Sequence, residues 1–345
     1  MNIPKTASRL KKFMEATERE VVDLFMTLPG AEALEYTKSD TPIVFVPGHR
    51  EDRVLLVAHY DTVFTKPVKV GQVGSYLVSM NKGVGIGADD RAGCCALWML
   101  RTLGHSLLLV PDEEVGCRGS GYAAQHYVDK LKSHSFCIEF DRAGSRDLVY
   151  YDMETDPFEE YMEAAFPGYA HANGSFTDIV ELCPALDIAG VNISIGYDDQ
   201  HTANEHIDVV NYIRTVYLAM NMLQRTEIPS FQCGETYNSY TPSSWNGYNY
   251  GFKRDRDDDD LEAEQAPFTD ESDLEFCEVE EAEVIICPNC LKHHHDMTSE
   301  MWVFDYDQAL CGYCNKDFNL VNNCYRSVDL LKDNETDTYT VGVDV

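Results

Sequence analysis

The chain has 345 residues, 44% of them hydrophobic, and 59 acidic against 27 basic groups give it a formal net charge of −32. A field of that sign repels phosphates and excludes non-specific DNA or RNA binding, and no run of about 18 apolar residues exists to span a membrane. Residues 1–20 carry basic groups without an apolar stretch, which reads as an amphipathic helix rather than an export signal, so the protein is expected in the cytoplasm.

Residues 7–28 carry Leu10, Phe13, Met14, Val21, Val22, Leu24 and Phe25 at helical spacing. After Pro29 and Gly30 come short β-type runs at 42–47, 53–59 and 76–80. Gly83, Gly85 and Gly87 make a loop, and 91–103 reads as a helix. Residues 106–111 form an unbroken apolar run of the kind that buried parallel strands carry. A helix at 120–131, a buried strand at 135–141, a short helix at 159–165, a strand at 191–195 and a long amphipathic helix at 209–223 follow. This alternation predicts an α/β three-layer sandwich with a mainly parallel sheet over residues 1–227. Ligands of such sheets gather beyond the carboxyl ends of the strands, and His59, Glu113, Glu114 and Asp141 each fall where a predicted strand ends.

The pattern stops near Thr226. Residues 228–283 are rich first in Tyr, Asn, Ser and Gly and then in acids, including the run 257–260. Like charges in blocks rarely pack, so this stretch is expected to be a mostly disordered linker. Residues 284–345 carry Cys287-x-x-Cys290 and Cys311-x-x-Cys314 with 20 residues between the pairs. Four thiolates at zinc-ribbon spacing make a closed tetrahedral site, which predicts one structural zinc. The triple histidine 293–295 is either a competing source of zinc ligands or, as expected, an exposed turn between ribbon strands. The module would recruit a protein partner or position substrate. The other eight cysteines show no ligand spacing and are expected to be small buried apolar residues.

Five segments carry the chemistry: 57–63 (Val-Ala-His-Tyr-Asp-Thr-Val), 87–93 (Gly-Ala-Asp-Asp-Arg-Ala-Gly), 112–119 (Asp-Glu-Glu-Val-Gly-Cys-Arg-Gly), Phe140-Asp141, and 200–205 (Gln-His-Thr-Ala-Asn-Glu). Carboxylates and imidazoles suit Zn²⁺, Mn²⁺ or Co²⁺. Two ions close together need one bridging carboxylate and further ligands on each outer side, which two His, two Asp and one Glu supply. Asp61 lies two residues past His59 and is placed to hold its second ring nitrogen, by its carboxylate or through a turn. Glu113 and Glu114 are adjacent, so one can bind metal while the other takes a proton from water.

These segments resemble the co-catalytic zinc exopeptidases, which include bacterial leucyl aminopeptidases, peptidase T and the glutamate carboxypeptidase group. The resemblance covers roughly residues 1–226. It implies one metal on His59, Asp89 and Asp141, a second on Asp89, Glu114 and His201, and Glu113 as general base, with His59-Tyr60-Asp61 as the His-x-Asp element. Two departures stand out. Asp141 and His201 are too close in sequence to hold the lid domain of the carboxypeptidases and peptidase T. Several relatives have a Tyr directly before the last His, where this chain has Gln200, so Gln200 or Tyr197 is the expected oxyanion contact. Thr177-Asp178 is similar to a Thr-Asp segment of the clan and would either orient ligands or substrate, or cap a helix.

The resemblance implies a metal-dependent exopeptidase acting on peptides, above all an aminopeptidase. An N-acyl-amino-acid deacylase or carboxypeptidase on the same core is the alternative, with Arg118 or Arg142 as the cation for a substrate carboxylate. A third alternative is an inactive binding protein acting through its zinc ribbon.

Overall fold

The computed structural model describes residues 3–38 and 41–234, together with the backbone of short strands between 282 and 341. The first helical stretch is two helices, α1 (Ile3–Glu15) and α2 (Glu18–Met26), rather than one. The break is local chemistry: the Thr17 hydroxyl accepts the Glu20 amide at 3.2 Å, and the Glu20 carboxylate accepts the Thr17 amide at 2.7 Å. This capping box starts a new helix.

The chain then runs through β1 (Glu32–Leu34), β2 (Ile43–Val46), β3 (Leu55–His59), β4 (Val70–Val73), β5 (Tyr76–Ser79), α3 (Ala88–Leu100) and β6 (Ser106–Val110). Next are α4 (Arg118–His126), α5 (Val128–Leu131), β7 (Cys137–Arg142), β8 (Asp147–Val149), α6 (Asp156–Ala165) and β9 (Ala170–Ala172). They are followed by α7 (Asp178–Leu186), β10 (Gly190–Ser194), β11 (Tyr197–Asp198), β12 (His206–Asp208) and α8 (Val209–Leu223). The main sheet has the order β1-β2-β6-β3-β7-β10-β8-β9. Its centre, β6-β3-β7-β10, is parallel, with antiparallel β1 and β2 on one side.

Alternation along each strand explains the two covering layers. Leu56, Ala58, Leu107, Leu109, Ile138 and Phe140 share a buried cluster with α1, α2, α3, α6 and α8. Their neighbours Leu55, Val57, Leu108, Val110 and Cys137 pack against α4, α5 and α7 on the other face. Strands buried on both faces read as unbroken apolar runs. The sequence reading therefore found the central strands and missed the short strands β1, β4, β8, β9, β11 and β12.

A second, antiparallel sheet has the order β11-β12-β5-β4. Its β11–β12 hairpin pairs Tyr197 with Ile207 and Asp198 with His206, so its loop carries His201. The core also continues past the expected boundary at residue 227. Ile228 is buried, and Phe231 packs its ring among Phe136, Phe158 and Tyr161. Backbone bonds from Phe231 to Ser135 and from Gly234 to Met153, both 2.9 Å, hold residues 228–234 to the core. A linker reading for these residues fails because Ile228 and Phe231 are apolar anchors among polar neighbours.

Among the described residues no helix is long and apolar enough to cross a membrane. Cys94, Cys95, Cys117, Cys137 and Cys183 are buried thiols and Cys233 is half-buried, while Cys277 and Cys324 lie outside the described residues. Towards the carboxyl terminus, Ala282–Ile286, His293–His294 and Tyr325–Val328 make one small antiparallel sheet, and Met301–Asp305, Gln308–Cys311 and Lys316–Asn319 another. The backbone of 293–294 pairs with 285–286 and is a strand, not the expected turn. Cys311 ends a strand, and Cys287, Cys290, Cys314 and the linker residues 235–281 lie outside the described residues.

Candidate active site

The parallel register brings the carboxyl ends of β3, β6 and β7 level: His59 pairs with Val110, and Leu55 with both Ser106 and Cys137. His59 closes β3, Glu113 and Glu114 follow β6 in a turn, and Asp141 lies near the end of β7. Asp89 comes from the segment that opens α3, and His201 from the β11–β12 loop with φ of 61°. All the residues that the motifs singled out as ligands or base thus meet at one end of the sheet.

Their contacts define the geometry. His59 Nε2 lies 3.1 Å from Asp89 Oδ1, 3.6 Å from Asp141 Oδ1 and 3.9 Å from Glu113 Oε2. His201 Nε2 lies 3.1 Å from Asp89 Oδ2 and 2.9 Å from Glu114 Oε2. The two oxygens of Asp89 therefore face two different imidazoles. Asp90, next in the chain, accepts the Gly93 amide at 2.8 Å as a helix cap and leaves its other oxygen buried without a partner. Ligand atoms of His59, Asp90 and Asp141 lie within 4.8 Å of one another, as do those of His59, Asp89 and Glu114. Asp89, which turns both oxygens to imidazoles, is better placed to bridge than Asp90, which spends one on a backbone amide.

Asp61 braces this arrangement. His59 Nδ1 is 3.1 Å from the Asp61 carbonyl and 3.4 Å from its carboxylate, so both routes read from the sequence are used. The same carboxylate accepts the Glu113 and Glu114 amides at 3.2 and 3.3 Å, fixing the turn after β6. With Nδ1 donating to Asp61, Nε2 of a neutral His59 turns a lone pair towards three carboxylates. That arrangement is repulsive unless a proton or a metal cation sits among them, and the nitrogen and oxygen donors present are those of a zinc-type site. The residues fit the ions that the sequence implies.

The electrostatics agree. Burial opposes charge on His59, but the surrounding Asp141, Asp61 and Asp89 hold its pKa well above the ordinary range. Hydrogen bonds to Asp89 and Glu114 push His201 up to about 10. Asp89, although buried, is pulled below its usual value by the two imidazoles. Burial and the neighbouring Asp89 raise Asp141 to about 6. Burial, with Asp141, Asp178 and Asp89 nearby, raises Glu113 well above a free carboxyl, as a group that carries a proton through the reaction requires.

Several contacts were not legible from motifs. Tyr197 is buried and donates its hydroxyl to Asp141 Oδ1 at 3.0 Å, so it orients that carboxylate and is not free to reach an oxyanion. Asp178 is fully buried and accepts the Ser120 hydroxyl at 2.6 Å, which removes it from substrate contact. Thr177 precedes α7 but caps it with no side-chain bond. Its hydroxyl lies 2.7 Å from Glu139 Oε2 and 3.2 Å from Asp141 Oδ2. Glu139 and Asn192, which accepts the Asp141 amide at 2.9 Å, looked like strand interior. Glu205 is buried and caps the Asp89 segment, accepting the Gly87 amide at 2.7 Å and the Asp89 amide at 3.1 Å. A carboxylate in the middle of an apolar strand, or four residues past a histidine, is the available signal. Gln200 is exposed directly before His201. Arg118 is exposed, and Arg142 donates Nε and Nη2 to Asp147 at 3.1 Å.

Residues 43–212 match the sequence model of peptidase family M28. No curated protein matches the sequence. Among solved structures, the aminopeptidase PepT of Bacillus cereus superposes with a TM-score of 0.53 at 14% identity, covering 65% of this chain and 98% of that one. A tripeptidase of Staphylococcus aureus gives 0.52 at 12% identity, with 65% and 98% covered. At such identities the likeness is one of fold.

Proposed function

Because the chain belongs to the co-catalytic zinc exopeptidases through its peptidase family M28 domain, we propose that it is an aminopeptidase that removes residues from free peptide amino termini with two ions in the core. The observation that carries this reading is Asp89: its two oxygens face His59 and His201 at 3.1 Å each, as a bridging carboxylate must. His59, Asp89 and Asp141 would hold one ion, and Asp89, Glu114 and His201 the other. When bound, the ions supply Lewis acidity and make water more acidic. Glu113 takes the proton of the attacking water and delivers it to the leaving nitrogen. Asp61 orients His59 and holds the Glu113–Glu114 turn, so that ligand and base keep their spacing. Gln200 is the side chain offered to the substrate carbonyl.

The choice of peptide end rests on charge. Asp198 and Asp199 are exposed three and two residues before His201, and their charge favours an ammonium group over a carboxylate. Arg142, a cation that a carboxypeptidase could use, is bound to Asp147. The aminopeptidase and the tripeptidase that share the fold act on peptides, which favours the same reading. We further propose that the chain acts in the cytoplasm and that residues 284–345 hold a structural zinc on Cys287, Cys290, Cys311 and Cys314, giving three ions per chain. The acidic stretch after residue 234 then links the two parts.

The deciding experiment is mass spectrometry of one peptide with and without an amino-terminal acetyl group. The unblocked peptide is expected to shorten from its amino end and the capped one to stay intact. Cleavage of the capped peptide, or loss of the carboxy-terminal residue first, would transfer the reading to a deacylase or carboxypeptidase.

A further inference from the structure

Glu205 takes no part in ligand binding or proton transfer as described, yet it is a carboxylate only 1% exposed. Its two oxygens are both used on backbone: Oε2 accepts the Gly87 amide at 2.7 Å and Oε1 the Asp89 amide at 3.1 Å. Room for it is made by a missing side chain. A Cβ at Gly85 would fall 2.6 Å from Glu205 Oε2 and 2.4 Å from the Phe64 ring. The backbone here is irregular: Gly87 is left-handed at φ 63°, and Asp89 and Asp90 depart from helical angles before α3 becomes regular. Without an outside acceptor the amides of 87 and 89 would be buried donors with no bond, at a cost of about 1–3 kcal/mol each.

The two loops that Glu205 joins differ in rigidity. Asp89 is packed at the head of a buried helix, whereas His201 is half-exposed on a hairpin loop, with 49% of its side chain open. Within that loop the Thr202 hydroxyl donates to the Asp199 carbonyl at 2.7 Å, and the Glu205 amide donates to the Thr202 carbonyl at 3.2 Å. Only three residues lie between His201 and Glu205, so the position of the imidazole follows the anchor. His59 and Asp141, by contrast, lie on paired strands and have their own braces, Asp61 and Tyr197, independent of Glu205.

We propose that Glu205 is a positioning residue: by clamping the Gly87–Asp89 backbone to the His201 loop, it sets the distance between Asp89 and His201 and so the affinity of the ion that these two share with Glu114. The inference rests on the two-ion reading of the site. Its loss should weaken that ion by on the order of ten- to a hundredfold, the usual range for a residue that orients a ligand, and should leave the His59–Asp89–Asp141 ion nearly unchanged.

The test is stepwise zinc titration of the metal-free full-length chain, by competition with a chromophoric chelator, for the natural protein and for Glu205→Gln. An amide at this place turns a donor towards one backbone amide and loses that bond. The expected result is one core ion weakened at least tenfold and one unchanged, with circular dichroism preserved. Gly85→Ala, which drives a methyl group against Oε2, should give the same selective loss. Equal weakening of both core ions, or no weakening, would overturn the inference. If Glu205→Gln does not fold, Glu205→Asp decides, since a carboxylate one carbon short cannot reach both amides; unchanged affinities there overturn the proposal. A natural protein whose core binds a single ion would instead overturn the two-ion reading itself.

Discussion

Two buried histidines, His59 and His134, show what separates a reactive centre from a structural polar network. Both are less than a tenth exposed and both belong to the parallel sheet's surroundings. Around His134 every proton has a place. The Gly48 amide donates to Ser106 Oγ at 2.9 Å, the Ser106 hydroxyl reaches His134 Nε2 at 2.8 Å, and Nδ1 donates to the Leu131 carbonyl at 2.5 Å. Burial dominates, and the pKa falls to about 4. Around His59, Nδ1 is held by Asp61 while Nε2 faces Asp89, Asp141 and Glu113 together, and burial is outweighed by Asp141, Asp61 and Asp89, which raise its pKa. Burial alone makes a histidine neutral and inert, and burial among unmatched carboxylates makes a place for cations.

The largest expected effect is at the base. Glu113→Gln keeps the volume and the Asp61 bonds to the 113–114 backbone but cannot take a proton. Peptide cleavage should fall by about 10²-fold or more, while the zinc content measured by elemental analysis stays that of the natural protein. Normal turnover would remove Glu113 from its role, and loss of zinc would make it a ligand.

The contrast also explains what the sequence made legible. His59, Glu113, Glu114 and Asp141 fall at strand ends, which can be read from apolar runs, whereas Asp89 and His201, at a helix start and in a hairpin loop, are suggested only by the resemblance of their segments. Groups that brace them have no such marker. Glu139 reads as part of a buried strand, and Tyr197 as an oxyanion contact rather than a brace for Asp141, because what defines each is a partner 38 or 56 residues away in the chain. The boundary near 227 was drawn where helical periodicity ends, but Phe231 packs by a single ring, which leaves no periodic trace.

The next effect is on stability and belongs to His134. Its pKa is about 4 in the folded chain against 6.5 ordinarily. The unfolded chain therefore takes up a proton near pH 6.5, whereas the folded chain refuses it until about pH 4. The stabilisation is complete above the unfolded value and is lost as pH falls through this window, by at most about 3 kcal/mol. Urea midpoints at pH 7 and pH 5 should fall further apart in the natural protein than in His134→Gln. Equal shifts would mean that the Ser106 network does not carry the pH dependence.

The smallest effect sharpens the comparison within the active site. Tyr197 is 2% exposed and its hydroxyl donates to Asp141 at 3.0 Å on the carboxylate and 3.1 Å on the carbonyl. Tyr197→Phe removes this donor and leaves the ring packing, so the fold should be kept. Asp141 retains the Thr177 hydroxyl at 3.2 Å and the bond from its own amide to Asn192, which limits the loss. About a tenfold weaker affinity is expected for the ion held with His59 and Asp89, roughly 1.4 kcal/mol, at the low end for a ligand-orienting bond. This is the opposite ion from the one that Glu205 serves. Stepwise zinc titration of Tyr197→Phe beside Glu205→Gln should therefore give mirror-image losses. If Tyr197→Phe weakens the Glu114–His201 ion instead, the two halves of the site are not braced separately, and Asp89 transmits any disturbance to both.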